Sequence, residues 1–150
     1  MLAASLTAFG HFLAFFALTA AIVAELVLVR EGLSAETAKR IRRADRAAGL
    51  AAFLVLVFGF MRVIYFEKGA AYYFDNIFFL LKLGLFIAAA LLSIYPTVQF
   101  IRWGRVLNQG RAPELSAGTV MRIKRVLHWE LIAIAGILLC ASLMARGFGV

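Results

Sequence analysis

Apolar residues in this chain come in long blocks, and the charged residues gather between the blocks. The first block runs from Leu2 to Val29 and stops at Arg30-Glu31-Gly32. Ser34 is placed to cap a second helix, which carries the charged stretch Lys39 to Arg46 and is then wholly apolar from Ala47 to Phe66. Its first turns must lie outside the hydrocarbon. Glu67-Lys68-Gly69-Ala70 reads as a turn, and the rings of Tyr72, Tyr73 and Phe74 that follow it suit a membrane interface. A third block extends from Asn76 to Phe100, with Pro96 expected to kink it by removing one backbone hydrogen bond. Asn108 to Ser116, with Gly110 and Pro113, reads as a polar loop before a fourth helix from Ala117 to Arg146 that turns apolar near Val126.

A bilayer core of about 30 Å needs roughly 20 apolar residues per helix. The blocks therefore predict spans at about 2–29, 47–66, 76–100 and 126–146, and the expected fold is an all-α integral membrane four-helix bundle in a single domain, 1–150. Composition agrees: 64% of the 150 residues are hydrophobic and 16% charged, with a mean hydropathy of +0.92, more apolar than a soluble domain of this size can bury. The first block has no basic residue before Arg30 and outruns the apolar part of a signal peptide, so it is expected to stay as a span. No internal repeat or low-complexity tract interrupts the pattern.

Charge adds an orientation. The net charge of +8 would suggest nucleic acid in a soluble protein, but here the basic residues flank apolar spans. Arg30, Lys39, Arg40, Arg42, Arg43 and Arg46 surround the first connection, and Arg102, Arg105, Arg111, Arg122, Lys124 and Arg125 the third. Cytoplasmic loops concentrate Lys and Arg, so these two connections are expected inside and both termini, with the turn at Glu67 to Asp75, outside. The expected partners of the basic residues are anionic lipid headgroups and not nucleic acid.

Ionisable side chains within a span are costly and usually face the bundle interior. Five qualify: His11, Glu25, Arg62, Lys82 and Glu130. His11 and Glu25 are two heptads apart, within about 40° on one helix face, which Ala14 and Ala21 share. Small residues there allow close helix approach. By depth His11, Lys82 and Arg62 form an outer basic cluster, and Glu25 and Glu130 an inner pair of carboxylates. The plainer readings are a packing histidine, a snorkelling Lys82 and a Glu25 at the inner edge.

An ammonium is costly in an apolar bundle, and its neutral amine can bind a metal. A histidine and a neutral lysine at one depth can supply two axial ligands to a haem iron, although His, Met, Cys and Tyr are the usual ones. His128 lies at the inner edge, roughly 20 Å in depth from His11, which argues against bis-histidine ligation. It also points about 200° away from Glu130, so Glu130 is assigned inward and His128, beside Trp129, to the interface. Cys140 has no second cysteine to bridge to and reads as packing. There is no glycine-rich phosphate loop, nucleophile elbow or zinc-ligand spacing.

His11 in the first span, Arg40-Ile41-Arg42-Arg43 leading to Phe58-Gly59-Phe60 in the second, Lys82-Leu83 in the third and Arg125 to Glu130 in the fourth together resemble the HemJ-type protoporphyrinogen oxidases. Those are small four-helix proteins of bacterial membranes. The resemblance covers most of the chain, and the wider group includes CopD-type copper-resistance proteins and families of unknown function. The stretch Lys68-Gly69-Ala70-Ala71-Tyr72-Tyr73 with Asn76 is more similar to one of the latter, and Leu80 and Leu81 stand where a HemJ histidine is common. The resemblance implies a bacterial inner-membrane location and haem b, with His11 and Lys82 as the ligating residues.

Three readings follow. In the first the chain is a haem b redox protein, protoporphyrinogen oxidase-like, taking a porphyrin-type substrate and passing electrons to quinone. His11 and Lys82 bind the iron, Arg62 receives a carboxylate, and Glu25 or Glu130 relays protons. In the second it is a non-catalytic module, free of cofactor, that binds lipid, a partner or a second copy of itself, or conducts a solute. Glu25 and Glu130 then pair with Arg30 or Lys124. The third, copper handling, lacks a soft-ligand cluster, because Met1, Met61, Met121 and Met144 are scattered.

Overall fold

In the computed structural model, which describes residues 1–66 and 70–149, the chain is a four-helix bundle with no strand among the described residues. Helix α1 spans Leu2–Leu28 and α2 spans Ala35–Met61, running on into a π-helical segment, Arg62–Phe66. After the short α3, Ala70–Phe74, come α4, Ile77–Asn108, and α5, Ala117–Ala145. All four long helices are long and apolar enough to cross a membrane. The 27 residues of α1 extend about 40 Å at 1.5 Å per residue, more than the hydrocarbon alone requires.

Three of the long helices, α2, α4 and α5, start where side chains replace missing backbone partners. Ser34 Oγ accepts from the Thr37 N–H at 3.1 Å, and Ser116 Oγ accepts from the Thr119 N–H at 3.2 Å. Asn76 caps α4 with its Oδ1, which accepts from the N–H groups of Phe78 and Phe79 at 3.0 and 3.3 Å. Its Nδ2 donates to the carbonyl of Phe148 at 3.0 Å. Gly147 and Gly149, at φ 84° and 91°, let the chain fold back after α5, so that the Gly149 carbonyl also meets the Ile77 N–H.

Successive long helices run antiparallel. α1 packs most extensively on α2 and α4 on α5, and the two hairpins join through α1 against α5 and α2 against α4. Both termini thus lie at one end of the bundle, called here the terminal end, and the Arg-rich connections at the other, the basic end. Apart from Asn76, the fully enclosed side chains, among them Ile41, Phe100, Ile123 and Leu127, sit toward the basic end. There the helices project past their apolar stretches, and packing side chains removes them from water. Within lipid that driving force between helices is missing. Only 6% of the most apolar stretch of α4 is buried, and α1 shows a continuous stripe of Phe9, Phe12, Phe16, Val23 and Val27 outward.

Toward the terminal end, α1 and α2 are held by close approach. A Cβ on Gly10 would lie 2.9 Å from the Phe58 ring, and one on Gly59 would lie 3.2 Å from His11 Cε1. Each glycine therefore receives a ring from the opposite helix.

Some sequence expectations change. α4 runs beyond the expected span, which ends at Phe100, to Asn108, and its helix passes through the buried Pro96 without a break. Of the expected turn, Glu67 to Gly69 lie outside the described residues and Ala70 is the first residue of α3. The aromatic cluster does not simply line an interface. Tyr73 is buried against Phe79, 5.4 Å between ring centroids, and only Phe74 is well exposed, because a five-residue helix turns successive rings to different sides.

Candidate functional site

Two cavities open between the helices, and they differ in chemistry. The terminal-end cavity, of about 600 Å³, is walled mainly by aromatic and aliphatic side chains, including Phe15, Phe79, Leu83 and Phe86. Into it come His11 from α1, Arg62 from the π-helical segment, Tyr72 and Tyr73 from α3, and Lys82 from α4. Arg62 reaches this wall from the end of α2, where the helix passes into the π turn, and the Asn76 cap starts α4 one and a half turns before Lys82.

The half-buried His11 ring is oriented by a hydrogen bond across the hairpin. Its Nδ1 lies 3.1 Å from the Val55 carbonyl oxygen. A carbonyl only accepts, so Nδ1–H donates, and Nε2 is left with the lone pair. Arg62 Cζ lies 5.5 Å from the centroid of Phe12 and Lys82 Nζ lies 5.0 Å from that of Phe79, both cation–π distances. Both cationic residues act electrostatically on the His11 ring.

The basic-end cavity, of about 480 Å³, takes polar side chains from every long helix: Glu25 from α1, Arg42, Asp45 and Arg46 from α2, Ser93 and Thr97 from α4, and Glu130 from α5. Thr97 Oγ1 donates to Asp45 Oδ1 at 2.6 Å, and Arg42 and Arg46 lie close enough to act on the same carboxylate. The Arg42 guanidinium rests on Gly104, where a Cβ would come within 2.8 Å of Nη2. Glu25 and Glu130 are each 3% exposed, and Oε1 of each is buried without a hydrogen-bond partner. The expected pairing of these glutamates with Arg30 or Lys124 is therefore not made. Arg30 is exposed beyond the end of α1, and Lys124 lies six residues, more than one and a half turns, before Glu130.

The five residues singled out from the sequence are thus divided. His11, Arg62 and Lys82 share the terminal-end cavity, Glu25 and Glu130 share the other, and no residue lines both. His128 is exposed, its Nδ1 2.7 Å from the Lys124 carbonyl, and it lines neither cavity. Cys140 is a buried free thiol. Among the described residues no group of three or more His, Cys, Asp or Glu side chains converges to hold a metal ion.

Sequence reasoning missed Asp45, Thr97 and Asn76. Asp45 stands in the Lys39 to Arg46 run and reads there as part of a solvated charged stretch. Thr97 next to Pro96 was the available signal, since a proline inside an apolar block frees backbone groups that invite polar company.

Residues 3–149 match the model of a family of predicted membrane proteins, DUF2214, and the chain belongs to that family. No curated protein and no solved structure matches it significantly.

Proposed function

We propose that the protein is a haem b redox protein of a bacterial inner membrane, akin to the HemJ-type oxidases, and that the terminal-end cavity is its cofactor site. The observation that carries this reading is the His11–Val55 hydrogen bond. Histidines that ligate metals commonly give their other ring N–H to a carbonyl or carboxylate, which fixes the tautomer and aims the lone pair. The cavity volume falls in the range of about 300–1,000 Å³ usual for cofactor sites. Its aromatic walls suit a flat apolar ring system, and Arg62 is placed to receive a propionate by charge-assisted hydrogen bonds.

Lys82 lines the same space and is the second candidate ligand, but its Nζ rests over the Phe79 ring as an ammonium would. To ligate, it must leave that ring and lose its proton. Haem iron, when bound, supplies one-electron transfer between a reduced porphyrin-type substrate and a quinone. The excess of Lys and Arg at the basic end supports a cytoplasmic position for that end and an outward one for both termini. Glu25 and Glu130 are assigned no step at the iron, since their cavity is a separate one.

The test is an absorption spectrum of detergent-purified protein from haem-replete cells, oxidised and then reduced with dithionite. A Soret band that is lost in His11→Ala and weakened or shifted in Lys82→Ala is the expected result. Colourless wild-type protein overturns the proposal.

A second reading is favoured by the position of Arg62 and Lys82, two cationic side chains on the wall of an otherwise mainly apolar cavity. In it the protein holds no cofactor and binds an anionic amphiphile such as a lipid acid. Lipid acid co-purifying with colourless protein, and reduced in Arg62→Gln, is the result that selects this reading.

A further inference from the structure

The basic-end cavity has features that packing alone does not explain. Four helices each contribute a polar side chain to one space, and two carboxylate oxygens in it are buried without a donor. A buried carboxylate oxygen without a partner loses its hydration and regains nothing, a cost large enough that such groups are normally paired. The cations that line the cavity do not serve them. Arg42 and Arg46 act on Asp45, whereas the charged groups acting on Glu25 and Glu130 are carboxylates. Two guanidinium groups face three carboxylates, so with all five ionised the cavity is short of one positive charge.

We propose that this cavity binds a small primary ammonium ion, whose N–H donors are taken by Oε1 of Glu25 and Oε1 of Glu130. Three features select this class of ligand. An ammonium group offers three donors, enough for both orphaned oxygens. A bare metal ion is disfavoured, since three acidic or histidine ligands do not converge among the described residues. The cavity, about 480 Å³ against roughly 30 Å³ for one water, leaves room for a carbon body along Leu18, Ile22, Ala52 and Phe100. The inference is independent of the haem reading, because the two cavities share no wall residue.

Tryptophan fluorescence provides a local readout: Trp103 packs on Phe100, a lining residue, at 4.8 Å between ring centroids. Full-length protein in detergent is titrated with n-butylammonium chloride, with tetramethylammonium chloride, which has no N–H to donate, and with sodium chloride at equal ionic strength. A saturable fluorescence change and a raised unfolding temperature with butylammonium alone are expected. Both Glu25→Gln and Glu130→Gln are expected to weaken the response at least tenfold, and the exposed Glu114→Gln to leave it unchanged. Equal responses to the three salts, saturation by sodium, or a butylammonium response that survives in both cavity variants each overturn the proposal. Should the variants fail to fold, the selectivity of the wild type for butylammonium over tetramethylammonium decides the matter. Glutamates that merely hold protons show no such selectivity.

Discussion

The two ends of the bundle solve the same packing problem with different means. At the basic end the helices reach beyond the apolar blocks, and Ile41, Phe100, Ile123 and Leu127 are fully enclosed. Water is the competing solvent there, so hydrophobic burial holds the helices together and tolerates polar oxygens sealed among them. Toward the terminal end lipid competes on equal terms with side chains, and cohesion comes from close contact and directed bonds. Gly10 and Gly59 admit opposing rings, His11 bonds to Val55, and Asn76 ties α4 to the segment after α5. The contrast teaches that the end facing lipid is framed by hydrogen bonds and close ring contacts, whereas the end that reaches into water is framed by its buried core.

If that is so, the terminal end is the more fragile to polar deletions. Asn76→Ala removes the partner of three hydrogen bonds at a fully enclosed position and is expected to lower stability by about 3 kcal/mol, at about 1 kcal/mol for each bond. Unfolding in detergent measures it, with increased proteolysis after Arg146 as the local sign. A loss below that of a conservative core change such as Leu127→Met would break the comparison.

Gly59→Leu comes next. The new side chain meets the His11 ring, already 3.2 Å from where a Cβ would stand, and is expected to cost about 1–3 kcal/mol by overpacking. It should also disturb any Soret band through His11 while leaving the butylammonium response intact.

The smallest effect is expected at the basic end. Thr97→Val takes one donor from Asp45, which keeps Arg42 and Arg46 nearby, and should cost about 1 kcal/mol, with Thr97→Ser close to wild type. A larger penalty than that of Asn76→Ala would show that polar bonds frame this end as well.

Much of the fold was legible in one dimension. Ser34 and Ser116 were readable as helix starts, the latter from its place between a polar loop and an apolar block. The inward turn of Ala14, Ala21, Glu25 and Glu130 and the outward turn of His128 follow from helical periodicity. The site was legible only in part. Depth along each span sorts His11 with Arg62 and Lys82, and Glu25 with Glu130, but nothing local signals that α2 runs on as a π turn or that Tyr73 turns inward. The Asp45–Thr97 bond joins residues 52 apart in sequence, and the Asn76–Phe148 bond residues 72 apart.

The amino-acid sequence by itself determined the solvent, the number of crossings and the division of charge between the two ends. These depend on composition summed along each helix, which no neighbour can alter. Only the tertiary structure decided that the ionisable residues form two cavities and not one, that His11 is aimed by a backbone carbonyl, and that two glutamate oxygens are left without a donor. Those outcomes turn on which helix faces meet and at what height, and lipid, indifferent to the choice between apolar faces, leaves that to a few glycines and hydrogen bonds.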